Sequence, residues 1–512
     1  MRQQVTSLES AEAAAESLTG LLTGHAEWLY SFENGRETSP IRRSECAVWV
    51  DHSRLILSCW GDAGSKIWRV LAWEWTGEKL QFDVERRLAK DSGKLEMIPR
   101  ASAAAVDLTV TEARLERCLS LAKLASAHVY GSKIERAKLS PGSRPGKPGR
   151  YARIVLRDGG KRIAVTGVVA ENNKGDVDSY IANALIWFLR TRETVRGPFL
   201  RSLFLVVTKL NNDAIQRRLA LLGHDLRSAI LLWEIDEEWK TLNTIEPRDI
   251  DAFLSETQPA LRVPLRDDPS VSAKGILKLS PHAIDRVRAK HGETLRFNGL
   301  PFARVRTVME RENVWFGIDR SQRKRLAPDT EREWDTLYAD LAQGRNAIQS
   351  DKRNALYRAM PEAWLESILR RDITKLDPGL IIAPIHAQFR TNQAQRAGSR
   401  PIDLLALRED GRLAVIELKV AEDLVLTLQG AEYWLRVESH RKQGNITRAR
   451  LFADREIADE PPLVYLVGPT LRFHRAFSTL AKCIRTEIEI YRFDINEDWR
   501  GGVRVMRRMR VN

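Results

Sequence analysis

Short apolar runs separated by polar turns cover most of the chain, and their period changes along it. The first forty residues read as a polar, Ala/Glu-rich helix and a loop. Period-two runs follow. CAVWV and RLILSCW flank Asp51-His52-Ser53, and KIWRVLAWEW and KLQFDVERRL flank Thr76-Gly77-Glu78, so two hairpins are expected. Trp49, Trp60, Trp68, Trp73 and Trp75 crowd these strands. Aromatics among arginines can stack bases, but aromatic-rich strands are more often core, and core is the expectation here. Over 109–138 the apolar spacing turns helical. The basic segment SPGSRPGKPGR then predicts an irregular linker. Strands YARIVLRDGGKRIAVTGVV, helix DSYIANALIWFLRTR, strand LRSLFLVVTKL, a further helix and strand SAILLWEID come next. A Pro-rich stretch over 245–275 reads as linker. Residues 276–350 look mixed, with Arg320, Arg323, Lys324 and Arg325 in a solvated loop.

The most informative pattern lies between about 360 and 494. Pro361 suits the first turn of a helix, EAWLESILRR, and LIIAPI predicts a short strand. In PIDLLALREDGRLAVIELKV two apolar runs meet at Glu409-Asp410-Gly411. A three-residue loop there pairs Arg408 with Arg412, and stepping outwards sets Asp403 opposite Glu417. Lys419 then shares the face of Glu417, one pleat on. Two carboxylates about 5 Å apart on otherwise apolar strands are destabilising unless neutralised. Lys419 supplies part of that neutralisation, and a hard divalent cation would supply more. Gln429 and Tyr433 stand at i and i+4 on the helix that follows, before a strand, a helix and a final strand. The order is αβββαβ.

Composition bounds the rest. At 512 residues the chain is too long for one ordinary core. The expected partition is a β-rich region over 1–108, an α/β domain over 109–245, a linker and mixed α/β spacer over 246–350, and the site-bearing domain over 351–512. No apolar run approaches the roughly 18 to 20 residues needed to span a bilayer. The N-terminus lacks a signal-peptide core, so a cytoplasmic protein without a membrane partner is expected. A net charge of +14 favours a polyanionic partner, nucleic acid first. Cys46, Cys59, Cys118 and Cys483 are spaced too widely for a zinc knuckle, and the histidines form no HExxH. No P-loop is present, which argues against ATP-driven translocation.

Asp403 after Pro401-Ile402, the run Glu417-Leu418-Lys419, Gln429-x-x-x-Tyr433 and the preceding Glu366 together resemble the PD-(D/E)xK nuclease superfamily. The Gln-x-x-x-Tyr element looks like its RecB-like and NucS-like branches. The resemblance covers about 135 residues of the C-terminal part. It implies a restriction-endonuclease-like fold and an endonuclease hydrolysing phosphodiesters with Mg²⁺ or Mn²⁺, DNA being favoured over RNA. On this resemblance Asp403, Glu417 and the Leu418 carbonyl would hold the metal. Glu366 would complete the shell, with Glu362 its substitute. Lys419 would orient water or stabilise developing charge, and Gln429 and Tyr433 would contact the substrate backbone or brace Lys419.

An echo of this pattern lies earlier in the chain. YARIVLRDGGKRIAVTGVV matches the hairpin of the acids, ANALIWFLR matches QGAEYWLR, SLFLVV matches PLVYLV, and ILLWEID matches IEIYRFD. Ala152 or Arg153 stands for Asp403, Gly167 for Glu417, Val169 for Lys419, Asn183 for Gln429 and Trp187 for Tyr433. A degenerate nuclease-like domain that cannot bind the metal is therefore expected in the first half. Two basic clusters adjoin the copies: Arg144, Lys147 and Arg150 beside the earlier, and Arg504, Arg507, Arg508 and Arg510 beside the later. Both are candidate nucleic-acid contacts. The rival readings are a non-catalytic nucleic-acid-binding platform and a front half that gates the nuclease. Oligomeric state is open.

Overall fold

The computed structural model describes residues 2–32, 38–61, 64–86, 92–142, 147–170, 176–194, 199–261, 268–289, 292–308, 311–319, 323–391 and 400–512. It is a mixed α/β, multidomain chain that divides into two compact units. The first comprises Met1–Leu121, Lys138–Arg150 and Val169–Glu171, and the second Ala122–Ala137, Tyr151–Val168 and Asn172–Asn512. Among the described residues no helix is long and apolar enough to cross a membrane.

In the first unit a helix, Leu8–Thr23, starts at a capping box in which the Ser7 and Ser10 side chains each accept from the other's backbone N–H. Its Leu18 and Leu22 share a core with Trp28, Leu57 and Trp68 of an eight-stranded sheet. Both expected hairpins are present, with Asp51 facing Arg54 and Trp75 facing Leu80. The five tryptophans split. Trp68 and Trp73 are buried and Trp75 half-buried, whereas Trp49 and Trp60 keep 40% of their surface exposed. The loop expected within the first forty residues is instead two paired strands, Glu27–Phe32 and Thr38–Arg42. All four cysteines are buried, and the sulfurs of Cys46 and Cys59 lie 3.9 Å apart.

The chain also holds two six-stranded sheets of one design, the later wholly and the earlier mostly within the second unit. The earlier consists of β1 (Lys133–Pro141), β2 (Pro148–Asp158), β3 (Lys161–Val168), β4 (Phe199–Thr208), β5 (Ile230–Ile235) and β6 (Leu242–Ile245), in that spatial order. The later consists of β7 (His386–Phe389), β8 (Ile402–Leu407), β9 (Leu413–Leu418), β10 (Leu463–Pro469), β11 (Ile490–Ile495) and β12 (Val505–Arg510), again in order. In the earlier sheet β2–β3 is antiparallel, β3–β4–β5 parallel and β5–β6 antiparallel. In the later, β8–β9 is antiparallel, β9–β10–β11 parallel and β11–β12 antiparallel. Each parallel crossover carries a helix, as parallel strands require. These are α1 (Val177–Thr194) and α2 (Asn212–Ala220) in the earlier copy. In the later copy α3 (Pro361–Arg371) precedes the sheet, and α4 (Leu426–Lys442) and α5 (Phe477–Ala481) cross over.

From β2 to β4 the strand positions agree residue by residue with those from β8 to β10. Gly167 faces Ala152 on one side and Val206 on the other, and Glu417 faces Leu466. The open choice for Asp403 therefore falls on Ala152. At β5 the correspondence slips by one: Val206 faces Trp233 and Leu466 faces Arg492, so Trp233 takes the place of Arg492 rather than Tyr491. Leu185, Phe188 and Leu219 share one buried cluster with Leu428, Trp434 and Leu480. The loops after α2 and α5 join reciprocally. Gly223 N–H donates to the Cys483 carbonyl at 2.9 Å, and Arg485 N–H donates to the Leu221 carbonyl at 3.0 Å.

Several segments differ from expectation. Of the segment read as a linker, Ser140 and Pro141 lie in β1 and Pro148–Arg150 in β2, and Gly142 N–H donates to the Lys147 carbonyl at 2.7 Å; residues 143–146 lie outside the described residues. The helix expected to 138 runs Ala103–His128, because KIERAKL alternates and pairs as β1. The spacer carries a five-stranded antiparallel sheet with its own core of Leu295, Phe297, Phe302 and Trp334. Lys324 and Arg325 pair as a short strand in it, Lys324 meeting Glu333 at 2.5 Å; Arg320 lies outside the described residues. LIIAPI is not a strand: Leu380 makes an isolated bridge to Arg408 and Ile381 N–H donates to the Leu407 carbonyl at 3.0 Å, but the continuous strand begins at His386.

Candidate active site

The acids stand where the sheet's pairing and the helix before it converge. Arg408 N–H donates to the Arg412 carbonyl, and Leu404 faces Ile416. One step outwards this register sets Asp403 opposite Glu417. On the other side, His386–Leu405, Ala387–Leu404 and Phe389–Ile402 bracket Gln388 beside Asp403. A single row thus runs Gln388, Asp403, Glu417, Leu466 across four strands. Helix α3 brings Glu366 to it, and the spacer sheet fixes that helix. Gly299 (φ +81) lies so close that a Cβ there would overlap the Ala363 carbonyl.

Each carboxylate has its own donor. Arg296 Nη1 donates to Glu366 Oε1 at 3.0 Å, and Gln388 Nε2 donates to Glu366 Oε2 at 2.9 Å. The same Nε2 donates to Asp403 Oδ1 at 3.2 Å, while Leu418 N–H donates to Asp403 Oδ2 at 2.9 Å. Lys419 Nζ donates to Glu417 Oε1 at 2.5 Å. Glu417 is 1% exposed, and its Oε2 has no hydrogen-bond partner among the described residues. Burial first and the Asp403 charge second push the Glu417 carboxyl well above the ordinary carboxylate range, against the pull of Lys419. Burial lowers Lys419, but Glu417 and Asp403 outweigh it and hold the ammonium charged.

Gln429 and Tyr433 stand on α4, the helix that follows β9. Both are buried, and Gln429 Nε2 donates to the Tyr433 hydroxyl at 2.7 Å. Burial and the nearby Glu417 charge raise the Tyr433 phenol, so it stays protonated. Glu362, the alternative to Glu366, lies in the first turn of the same helix.

The basic clusters are only partly free. Lys147 meets Asp107 at 3.4 Å, Arg150 is exposed, and Arg144 lies outside the described residues. In β12, an edge strand, Arg508 is drawn to Asp377 and Arg510 donates to the Thr486 carbonyl. Arg504 lies 3.7 Å from Asp498, and Arg507 is exposed. Sequence reasoning missed Gln388 and Arg296. No motif flags either, since Gln388 sits on a four-residue strand and Arg296 comes from another sheet.

The chemistry of the donor set suits a hard divalent cation: three carboxylates, with an orphaned buried oxygen on Glu417. As arranged, no group of three or more His, Cys, Asp and Glu side chains among the described residues is gathered to hold a metal ion. Gln388 stands between Glu366 and Asp403, and Lys419 occupies Glu417. The ligand set expected from sequence is thus present but not closed around a common point.

No family model and no curated protein matches the chain. Among solved structures it is similar to Pelota of Archaeoglobus fulgidus, at 10% identity and a TM-score of 0.12, over 46% of this chain and 56% of that one. The Pelota protein of Thermoplasma acidophilum matches at 11% identity and a TM-score of 0.11, over 46% and 59%. The chain thus covers less than two thirds of either structure, and likeness of this grade carries no argument about fold or function.

Proposed function

We propose that this chain is a metal-dependent nuclease of the PD-(D/E)xK kind. In this reading a restriction-endonuclease-like domain over 351–512 carries its site, and DNA is the favoured substrate. The observation that carries the reading is the row of Asp403 and Glu417 at one level of a buried sheet, with Lys419 on Glu417 at 2.5 Å. Apolar strands gain nothing in stability from two facing acids, so a function that uses them is the simplest account of their presence.

Glu366, Asp403 and Glu417 would hold Mg²⁺ or Mn²⁺, with the Leu418 carbonyl as a further donor. A bound ion supplies charge neutralisation at a phosphodiester and acidifies water. Lys419 adds a fixed positive charge at the same edge, placed to orient a nucleophilic water or to steady negative charge on the phosphate. Tyr433 and Gln429 keep α4 packed behind the acids. Arg296 holds Glu366 from the far side and so ties the spacer sheet to the site. The earlier copy, with Ala152, Gly167 and Val169 at the matching positions, serves as scaffold.

The test is metal dependence. Cleavage should appear with Mg²⁺ or Mn²⁺ and stay idle with Ca²⁺, whose looser coordination misplaces the water. Cleavage that survives exhaustive chelation would remove the metal from the mechanism. Binding without cleavage under any metal would favour a nucleic-acid-binding platform.

A further inference from the structure

The Gln388 amide has an unusual station. Its Nε2 lies 2.9 Å from Glu366 Oε2 and 3.2 Å from Asp403 Oδ1, so one N–H₂ group ties two acids from different elements. A cation shared by those two oxygens has to take that place, and an amide nitrogen is not a ligand for a hard metal. The backbone at Gln388 has φ +49, a left-handed conformation that a side chain of this size rarely adopts. Such strain persists only where surrounding contacts hold it. The residue is exposed, so its side chain has room to withdraw into solvent. Glu366 does not depend on it for orientation, because Arg296 holds the other oxygen at 3.0 Å. Glu417, 1% exposed with Oε2 unpartnered, waits on the same row.

We propose that Gln388 is a displaceable placeholder. Its amide occupies the cation position between Glu366 and Asp403 in the metal-free protein and leaves when a divalent ion enters. This rests on the metal-dependent reading above and adds a competitor to it. While seated, the amide N–H₂ separates the two acids and offsets their repulsion; on leaving, it frees one oxygen of each at once. The metal affinity of the chain is then set partly by hydrogen bonds that must first break.

The experiment is calorimetric titration of Mn²⁺ into the full chain, wild type beside Gln388→Ala and Gln388→Met, with melting of each protein before and after Mn²⁺. The Met variant keeps the length of the side chain and removes the donor, and the melts show that each variant is folded. Both variants should bind Mn²⁺ about three- to tenfold more tightly, since one or two net hydrogen bonds no longer oppose it. Their metal-free melting temperature should fall, and the rise caused by Mn²⁺ should grow. Weaker binding in the variants would make the amide oxygen a ligand and overturn the proposal, as would unchanged affinity. A wild type that takes up no Mn²⁺ would remove the metal-dependent reading together with the placeholder. Wild-type uptake with no gain in the variants would remove the placeholder alone.

Discussion

The two α/β copies share strand order, strand direction and register, yet their matching rows have opposite character. The later row reads Gln388, Asp403, Glu417; the earlier has Ala152 facing Gly167, followed at the position of Lys419 by a fully buried Val169. In the earlier copy the Tyr180 hydroxyl donates to the Thr166 and Val206 carbonyls, so that strand end is closed by a buried phenol. In the later copy Glu417 Oε2 has no partner among the described residues. The difference teaches that the sheet does not need the acids. Apolar pairing along β3–β4 and β9–β10 builds both copies, and the charge at one of them is an addition that costs stability.

The comparison breaks most sharply at the acids. Asp403→Ala, Glu417→Ala or Lys419→Ala should each lower cleavage by roughly two to three orders of magnitude or more. Ala152→Ser and Val169→Thr should leave the rate unchanged. Activity assays on both sets, beside melting curves, read the contrast; loss of activity in Ala152→Ser with an intact fold would give the earlier copy a catalytic part.

The shared core comes next. Leu222 is fully buried and lies opposite Ile484 where the two copies join. Leu222→Ala should cost about 2–5 kcal/mol. Because the loss falls on the joint, cleavage should fall with it although the residue belongs to the earlier copy. A stable, fully active variant would mean that the later copy needs no scaffold.

An acid-sensitive group distinguishes the copies as well. His440 of α4 is 1% exposed, and burial lowers it to about 4; the matching position by sequence is Thr194. Between about pH 6.5 and 4 the unfolded chain binds this proton and the folded chain does not, so stability falls as pH drops through that window. The loss should reach about 3 kcal/mol at 1.36 kcal/mol per pH unit. Melting of wild type and His440→Gln across that range measures it: the variant starts lower and should lose less. Parallel losses would show that another group controls the acid limb.

The smallest effect concerns charge. Replacing Arg144, Lys147 and Arg150 with Ser should weaken DNA binding at low salt and flatten its salt dependence, by about 0.9 in the logarithmic slope for each phosphate that the variant no longer neutralises. Mn²⁺ uptake should be unaffected. An unchanged slope would mean that these three residues make no phosphate contact.

Much of the later copy is legible in the sequence because its signals are local. The turn at Glu409-Asp410-Gly411 sets the register that puts Asp403 opposite Glu417, and the i, i+4 pair Gln429–Tyr433 meets as spaced. The echo is legible for the same reason, since apolar runs and turns recur in order. What escaped is either short or distant. EWLYSF is a central strand that polar neighbours disguise as loop, and KIERAKL pairs although it follows directly on a helix. Arg296 reaches Glu366 across 70 residues of sequence, a contact no local pattern encodes.

The most direct measurement compares wild type with Glu417→Gln, which keeps the shape of the site and removes its charge. Each is incubated with single-stranded, duplex and branched DNA, in Mg²⁺ and after chelation. The account predicts that wild type cuts at least one of these substrates only with the metal, and that Glu417→Gln binds the same DNA without cutting it. Cleavage by Glu417→Gln at the wild-type rate, or no cleavage of any substrate by wild type, would contradict it.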